Sequence, residues 1–305
     1  MQFASLISVL ALLAAAMPAR AEGPPEVLQA TSRWHLDYAK DYCRLARQFG
    51  GPGRETFFYI EQYEPGKRVN VLVAGPDIDH AKIREHELRF GPGGGISRNE
   101  RILGTSMPDY GDGLLASGMT LLHDPAEEAA FERSRAQRWS PDSEDGAVPQ
   151  PVDPAAAAPI TWFSVMTRKG QIVRLDLGSM AEPITALNTC AEELVGHWGI
   201  DLAQHRGRTR VATPATNPGS WLDVGDYPTE LVRKGMQGLV MFRLGVDAEG
   251  KPTGCAIQQS TRPAEFDKVV CRNLIRKARF DPALDAAGKP MPSFWRSSVR
   301  FEIPD

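Results

Sequence analysis

Six histidines, His35, His80, His86, His123, His197 and His205, are the first residues whose type could do chemistry. A shared metal ion needs imidazoles at i, i+4 on a helix, as HxH on a strand, or in an HExxH motif. None of the six stands at such a spacing. His86-Glu87-Leu88-Arg89-Phe90 opens like a zinc-protease motif and lacks its second histidine, so the histidines read as surface or capping residues and no metal or cofactor is expected. Gly91-Pro92-Gly93-Gly94-Gly95 lacks both the Gly-Lys-Ser/Thr of a phosphate loop and the GxGxxG setting of a dinucleotide site, which leaves a flexible loop. There is no GxSxG and no SxxK, and Asp77 with Asp79, or Asp142 with Glu144 and Asp145, sit in turn or linker sequence where solvated acids are the default. Enzyme activity is not expected; an envelope enzyme using the N-terminal region would need a cleft with a perturbed acid or base that the sequence does not display.

The four cysteines carry more information. Residues 3–17 are an apolar run followed by Ala19-Arg20-Ala21, the small-x-small pattern of a cleavage site, so residues 1–21 read as a signal peptide. The run is short of the roughly 20 residues a membrane helix needs. In an oxidising compartment an even cysteine count points to disulfides, and without a CxxC neither a zinc knuckle nor a thioredoxin-type site is supported. Three pairings are possible. The one that keeps each pair inside one proposed domain joins Cys43 to Cys190 and Cys255 to Cys271.

The elements that must position these residues follow from periodicity. A chain of 305 residues that is 42% hydrophobic and 24% charged has room for about two globular domains, and a net charge of −3 supplies no field that would attract nucleic acid. Ser32 can cap a helix through Trp34, Tyr38, Leu45 and Phe49, with Cys43 on it. Thr56 to Gln62 and Arg68 to Ala74 form a hairpin about Glu64-Pro65-Gly66-Lys67, and Leu88, Phe90, Ile96, Ile102 and Leu103 suggest further short strands. A helix is expected near Pro125 to Arg138 with Asp124 as cap, then a Pro/Ala-rich loop at 140–159. Ile160 to Val165 and Gln171 to Leu177 make a second hairpin about Arg168-Lys169-Gly170. Pro183 opens a second helix bearing Ile184, Leu187, Cys190, Leu194 and Val195, so the Cys43–Cys190 bridge would join two helices packed over the strands. The fold class expected is α+β, with an N-terminal domain of hairpins and two helices at 22–205, a linker at 206–220 and a C-terminal domain at 221–305. Trp34, Trp162, Phe163 and Trp198 read as core of the first domain.

In the C-terminal domain Val240, Phe242, Leu244 and Val246 alternate with polar or small residues, the period of a strand with one buried face. Asp247 to Lys251 supply a turn, the return strand carries Cys255 and Ile257, and a helix follows with Phe266, Val269, Val270 and Leu274 at spacings of three and four. A disulfide between Cys255 and Cys271 would tie strand to helix and stabilise this small domain by about 3 kcal/mol in the chain-entropy model. Phe294 to Ile303 form a last strand. Lys268, Arg272, Arg276, Lys277 and Arg279 lie on the outer side of the helix as a solvated face, or as a contact for anionic envelope polymers or lipid headgroups.

Tyr227-Pro228, Gly238-x-Val240, Val246-Asp247-x-x-Gly250, the helix after Ser260, Arg279-Phe280-x-Pro282-Ala283 and Gly288-Lys289-Pro290 together resemble the C-terminal domain of TonB-type energy transducers, over about residues 221–303. The resemblance implies a helix packed on a three-stranded antiparallel sheet in a periplasmic protein. It also implies an exposed edge strand that takes up an extended segment of an outer-membrane transporter, or of another envelope protein, by strand addition in transmembrane transport. On this sequence the docking edge would be Phe294 to Phe301, with Tyr227 and Pro228 nearby and Trp295, Ser297 and Val299 choosing the partner. A full transducer has an uncleaved N-terminal anchor and a long proline-rich rod; here the anchor reads as cleavable and a different domain stands in place of the rod. A retained N-terminus, the alternative, would make the chain a membrane-anchored energy transducer and give it its membrane contact.

Overall fold

Alternation, rather than helical spacing, governs the chain from Cys43 onward: Cys43, Leu45 and Phe49 are buried on one face, while Arg44 and Gln48, of the other parity, are partly covered and exposed. The computed structural model describes residues 25–78, 87–98, 102–126, 128–129, 146–166, 172–260 and 263–303. In chain order it forms β1 (Glu26–Leu28), β2 (His35–Tyr38), β3 (Cys43–Phe49), β4 (Thr56–Gln62) and β5 (Arg68–Ala74). There follow β6 (Glu87–Gly91), β7 (Ile96–Arg98), β8 (Ile102–Met107), β9 (Gly111–Thr120), the one-turn α1 (Pro154–Ala157), β10 (Trp162–Met166) and β11 (Ile172–Asp176). Two helices come next, α2 (Ala181–His197) and α3 (Leu202–Gly207). The remainder holds β12 (Thr213–Pro214), α4 (Thr229–Arg233), β13 (Gly238–Val246), β14 (Pro252–Ser260) and α5 (Ala264–Lys277). After it come β15 (Phe280–Asp281), β16 (Ala283–Leu284), β17 (Pro290–Met291) and β18 (Ser293–Phe301).

The fold is α+β, and its N-terminal part is richer in strands than the sequence suggests. Two sheets, β2-β3-β4-β5-β9-β8 and β1-β11-β10-β6-β7, face each other. Phe58 of the first meets Phe163 and Phe90 of the second, and the Phe58–Phe163 and Phe90–Phe163 ring centroids lie 4.8 and 5.0 Å apart. Each of these fully buried rings contributes about 2 kcal/mol by leaving water. The hairpins at 56–74 and 160–177 form where their alternation places them.

The expected helix over Ser32 to Phe49 is a pair of strands instead, because Leu45 and Phe49 fit both periods and β3 gains a ladder to β4 over its whole length. Cys43 therefore sits on a strand. Its sulfur is bonded to that of Cys190 on α2, with the Cα atoms 6.0 Å apart, so the bridge clamps one long helix onto the sheet rather than joining two helices. Closing so long a loop stabilises by about 5 kcal/mol in the chain-entropy model. On α2 the residues Ile184, Leu187, Cys190, Leu194 and Val195 are all buried. Within the Pro/Ala-rich 140–159 stretch, Val152 and Ala157 are buried and Asn188 of α2 donates to the Val152 carbonyl, so the described portion is a strap along α2 rather than a free loop. The signal peptide, the 168–170 turn and most of the helix expected over 125–138 lie outside the described residues.

In the C-terminal part α5 lays Phe266, Val269, Val270 and Leu274 across the sheet β14-β13-β18, and a second hydrophobic cluster of residues 212–301 forms there, separate from the N-terminal one. Cys255 of β14 is bonded to Cys271 of α5. The 206–220 segment lies along this core: the Ala215 amide donates to the Arg279 carbonyl and β12 pairs with β15. The β13–β14 turn is held by Asp247, whose carboxylate accepts from the amides of Glu249 and Lys251 at 3.0 and 2.8 Å. Gly250 in that turn has φ 76°, and a Cβ there would stand 1.9 Å from the Phe280 carbonyl oxygen. Gly250→Ala combines a strained dihedral with a backbone clash and is expected to cost about 2 kcal/mol or more, read as a lowered urea midpoint. A midpoint equal to that of the unaltered protein would refute this account of the turn.

Candidate functional site: an edge strand seated on the N-terminal sandwich

Strand β13 is the centre of the C-terminal sheet, paired to β14 on one side and to β18 on the other, in register from Gly238 opposite Phe301 to Val246 opposite Ser293. Strand β18 thus ends the sheet, and among the described residues β13 is its sole ladder partner. Nine residues of edge strand present backbone N–H and C=O groups on the open side.

Its side chains divide by parity. Trp295, Val299 and Phe301 face α5 and pack into the core: Trp295 meets Trp221, Phe242 and Phe280, and Phe301 stacks on Phe266 at 4.1 Å. Ser297, on the same side opposite Phe242, is exposed. Tyr227 packs edge-on against Phe266 and Phe301 and donates its hydroxyl proton to the Met236 carbonyl at 2.6 Å, while Pro228 caps α4. Of the three aromatic residues on β18 singled out in the sequence for recognition, Trp295 and Phe301 are thus engaged by the domain's own core.

Phe294 and Arg296 point the other way, and the N-terminal part covers that face. Phe294 is buried against Trp198 and against His205 of α3, at 4.9 and 5.7 Å between ring centroids. The Arg296 guanidinium lies over Tyr63, donates to Glu64 at 2.7 Å, and through Nε to Gln258 at 2.6 Å. On β13, Arg243 stacks on Trp198 at 4.1 Å and reaches Asp41 at 3.4 Å. Behind Tyr63 stands Glu61, 1% exposed, which accepts from the Tyr63 hydroxyl and from Arg44 at 2.7 Å. Burial first, then the Glu61 carboxylate, pushes the Tyr63 phenol above its ordinary range, so it stays a donor at any physiological pH. A cleft of about 370 Å³ opens between this hairpin tip and the sheet, with Lys67, Asn70, Met241 and Arg296 in its walls.

Residues 225–303 match the family model described as the Gram-negative bacterial TonB protein C-terminal. That stretch is a TonB C-terminal domain. The match covers roughly a quarter of the chain, and no curated protein matches the chain. The family is one of non-enzymatic, protein-interacting domains found in envelope proteins that couple energy to transport. Among the described residues no helix is long and apolar enough to cross a membrane, and no group of three His, Cys, Asp or Glu could hold a metal ion.

What sequence reading missed is the covered face of this TonB C-terminal domain. Arg243 and Arg296 alternate with core residues on their strands, and the one available signal was that Arg243, Gln258 and Arg296 put three long polar side chains on one face of a small sheet. His205, which reads from the sequence as a surface or capping residue, is buried instead, because Phe294 of β18 packs against its ring. Both of its ring nitrogens are buried without a partner, and burial, aided by Arg208 and opposed by Glu192, pushes its pKa down to about 4 from 6.5. The folded state thus binds this proton less readily than the unfolded chain. The stabilising contribution is complete above pH 6.5 and is lost as pH falls from there through about 4. His205→Phe keeps the ring on Phe294, removes both unsatisfied nitrogens, and is expected to raise the melting temperature at pH 5 more than at pH 8. Equal shifts at the two pH values would rule out titration of this ring.

Proposed function

We propose that the chain is a TonB-like periplasmic protein that binds an extended segment of an outer-membrane transporter, or of another envelope protein, by adding it as a fourth strand beside β18. The observation that carries the reading is the nine-residue β18 at the end of the sheet, laddered to β13 alone among the described residues. Main-chain hydrogen bonds supply the affinity in this mode, and side chains of alternate parity supply the choice of partner. Because Trp295, Val299 and Phe301 are spent on the core, selectivity falls to Ser297 on one face and to Ser298 and Arg300 on the other. The N-terminal part serves as a rigid mount for the edge, and no catalysis is assigned to it.

The periplasm is where both the two disulfides and a transporter's periplasmic segment would be found. With the signal peptide removed, the protein captures its partner without transmitting force from an inner-membrane motor.

Neighbouring residues of an antiparallel strand direct their N–H groups to opposite edges, so of Ser298 and Val299 one donates to β13 and the other faces outward. Proline at the outward position leaves the sheet intact and blocks an incoming strand. Titration of the full chain with extended peptides from periplasmic ends of outer-membrane transporters is expected to saturate. Of Ser298→Pro and Val299→Pro, one keeps the parent melting temperature and loses peptide binding altogether, while the other melts early. A well-folded variant of each kind that binds as tightly as the parent would defeat the proposal.

A further inference from the structure

Beside the seat of β18 lies a second cavity, about 320 Å³, between the proline-rich strap and the exposed side of α2 and α3. Its walls include Gln150, Thr185, Asn188, Thr189, Arg206 and Arg208. The volume lies within the range of small-ligand pockets, and the wall is mixed, with prolines of the strap opposite polar side chains of the helix.

The charges around it do not balance. Arg206 forms a two-pronged pair with Glu192, its nitrogens 2.6 and 2.9 Å from the two carboxylate oxygens. Glu64 is taken by Arg296 at 2.7 Å. Arg208 is left with the His205 carbonyl as its hydrogen-bond acceptor, and among the described residues no carboxylate lies within ion-pair distance of it. Three guanidiniums therefore share two carboxylates, and the surplus charge rests on a half-buried side chain lining the cavity. Burial disfavours the charged form of Arg208, with Glu64 offsetting only part of that. A guanidinium does not relieve such a penalty by losing its proton at neutral pH; it does so by meeting an anion.

We propose that this cavity is a carboxylate-binding site in which Arg208 grips the anion as a two-pronged donor and Thr189 and Asn188 of α2 contact the rest of the ligand. Thr189 and Thr185 already donate their hydroxyl protons to the carbonyls four residues back, so what they offer the ligand is acceptor lone pairs. The site suits a carboxylate, either that of a small acid or the acidic side chain of a peptide, whose backbone N–H groups those lone pairs would meet. It stands apart from strand addition at β18, and neither depends on the other.

Isothermal titration of the full chain with disodium succinate, and separately with an acetylated, amidated alanine peptide bearing one central glutamate, tests the site. Saturable binding that weakens with added salt is expected for at least one probe, and Arg208→Gln is expected to weaken it about ten-fold or more. Arg208→Lys keeps the stem and the charge but loses the fork; it guards against misfolding of the first variant and is expected to bind several-fold more weakly than the parent. Arg279→Gln, remote from the cavity, is expected to change nothing. Binding of succinate identifies a small acid as sufficient, and binding of the peptide alone identifies an acidic side chain. Saturation by neither probe, or equal affinity in both Arg208 variants and the parent, overturns the proposal.

Discussion

A buried carboxylate, Glu61, is the constraint on which the arrangement of the two parts depends. An unpaired charge at 1% exposure would cost several kcal/mol, so Arg44 must stand beside it, and Tyr63 must give it a hydroxyl proton. Arg44 is in turn sandwiched between Tyr42 and Tyr59, its carbon 4.6 and 4.4 Å from their ring centroids, and cannot swing away. With its hydroxyl so anchored, Tyr63 offers a fixed ring face, and Arg296 of β18 lies on it. The orientation of the edge strand is thus referred back, residue by residue, to a charge inside the N-terminal sandwich. Replacing the group by apolar residues of equal volume could preserve stability, but it would remove the directional links that set where β18 sits.

The disulfides act at a different level. Cys43–Cys190 holds α2 against β3, and the C-terminal end of α2 is where Trp198 stands to meet both Arg243 and Phe294. The N-terminal bridge therefore fixes one of the surfaces on which the TonB C-terminal domain rests. Cys255–Cys271 is internal to that domain and holds α5 on the sheet face opposite to the seat. One bridge keeps the mount in shape, the other keeps the mounted sheet from shedding its helix.

Much of the local structure was legible because hydrophobic period decides it. The hairpin at 56–74, α2, and the β13–β14–α5–β18 succession each have one apolar face and clear turn chemistry, and the structure repeats them within a residue or two. The segment from Ser32 to Phe49 was not legible, since Leu45 and Phe49 suit both a helix and a strand, and only a neighbour distant in sequence selects between them. Strand β1 illustrates the same limit, three residues long and paired in parallel to β11 across 147 positions, from Glu26 to Val173. Strand β9 carries Gly111, Gly113 and Gly118, which weaken its strand pattern, yet Gly113 is where a Cβ would meet Ala74 and Val73 across the ladder. Of the site, the edge strand was visible as the last strand of a recognisable succession. The seat was not, for alternation reveals which face of a strand is apolar and is silent on what covers the other.

That silence has a physical consequence for how such an edge can be used. In an isolated three-stranded sheet with one helix, the face away from the helix is wet, and an incoming strand has its alternate side chains in water on that side. Here Asp41, Tyr63, Glu64 and Trp198 occupy that face and leave a cleft beside Arg296. Side chains of an added strand that point away from α5 would emerge next to the N-terminal sandwich rather than into solvent. On the strand-addition proposal, both faces of the docked segment contribute to selection, one through the TonB C-terminal domain and one through the sandwich that carries it. Fixing the edge also lowers the ordering cost of docking, because β18 need not be immobilised by its partner. A sandwich built around aromatic rings and a long-range disulfide is well suited to that task, since it supplies rigidity where the small sheet alone has little core to spare.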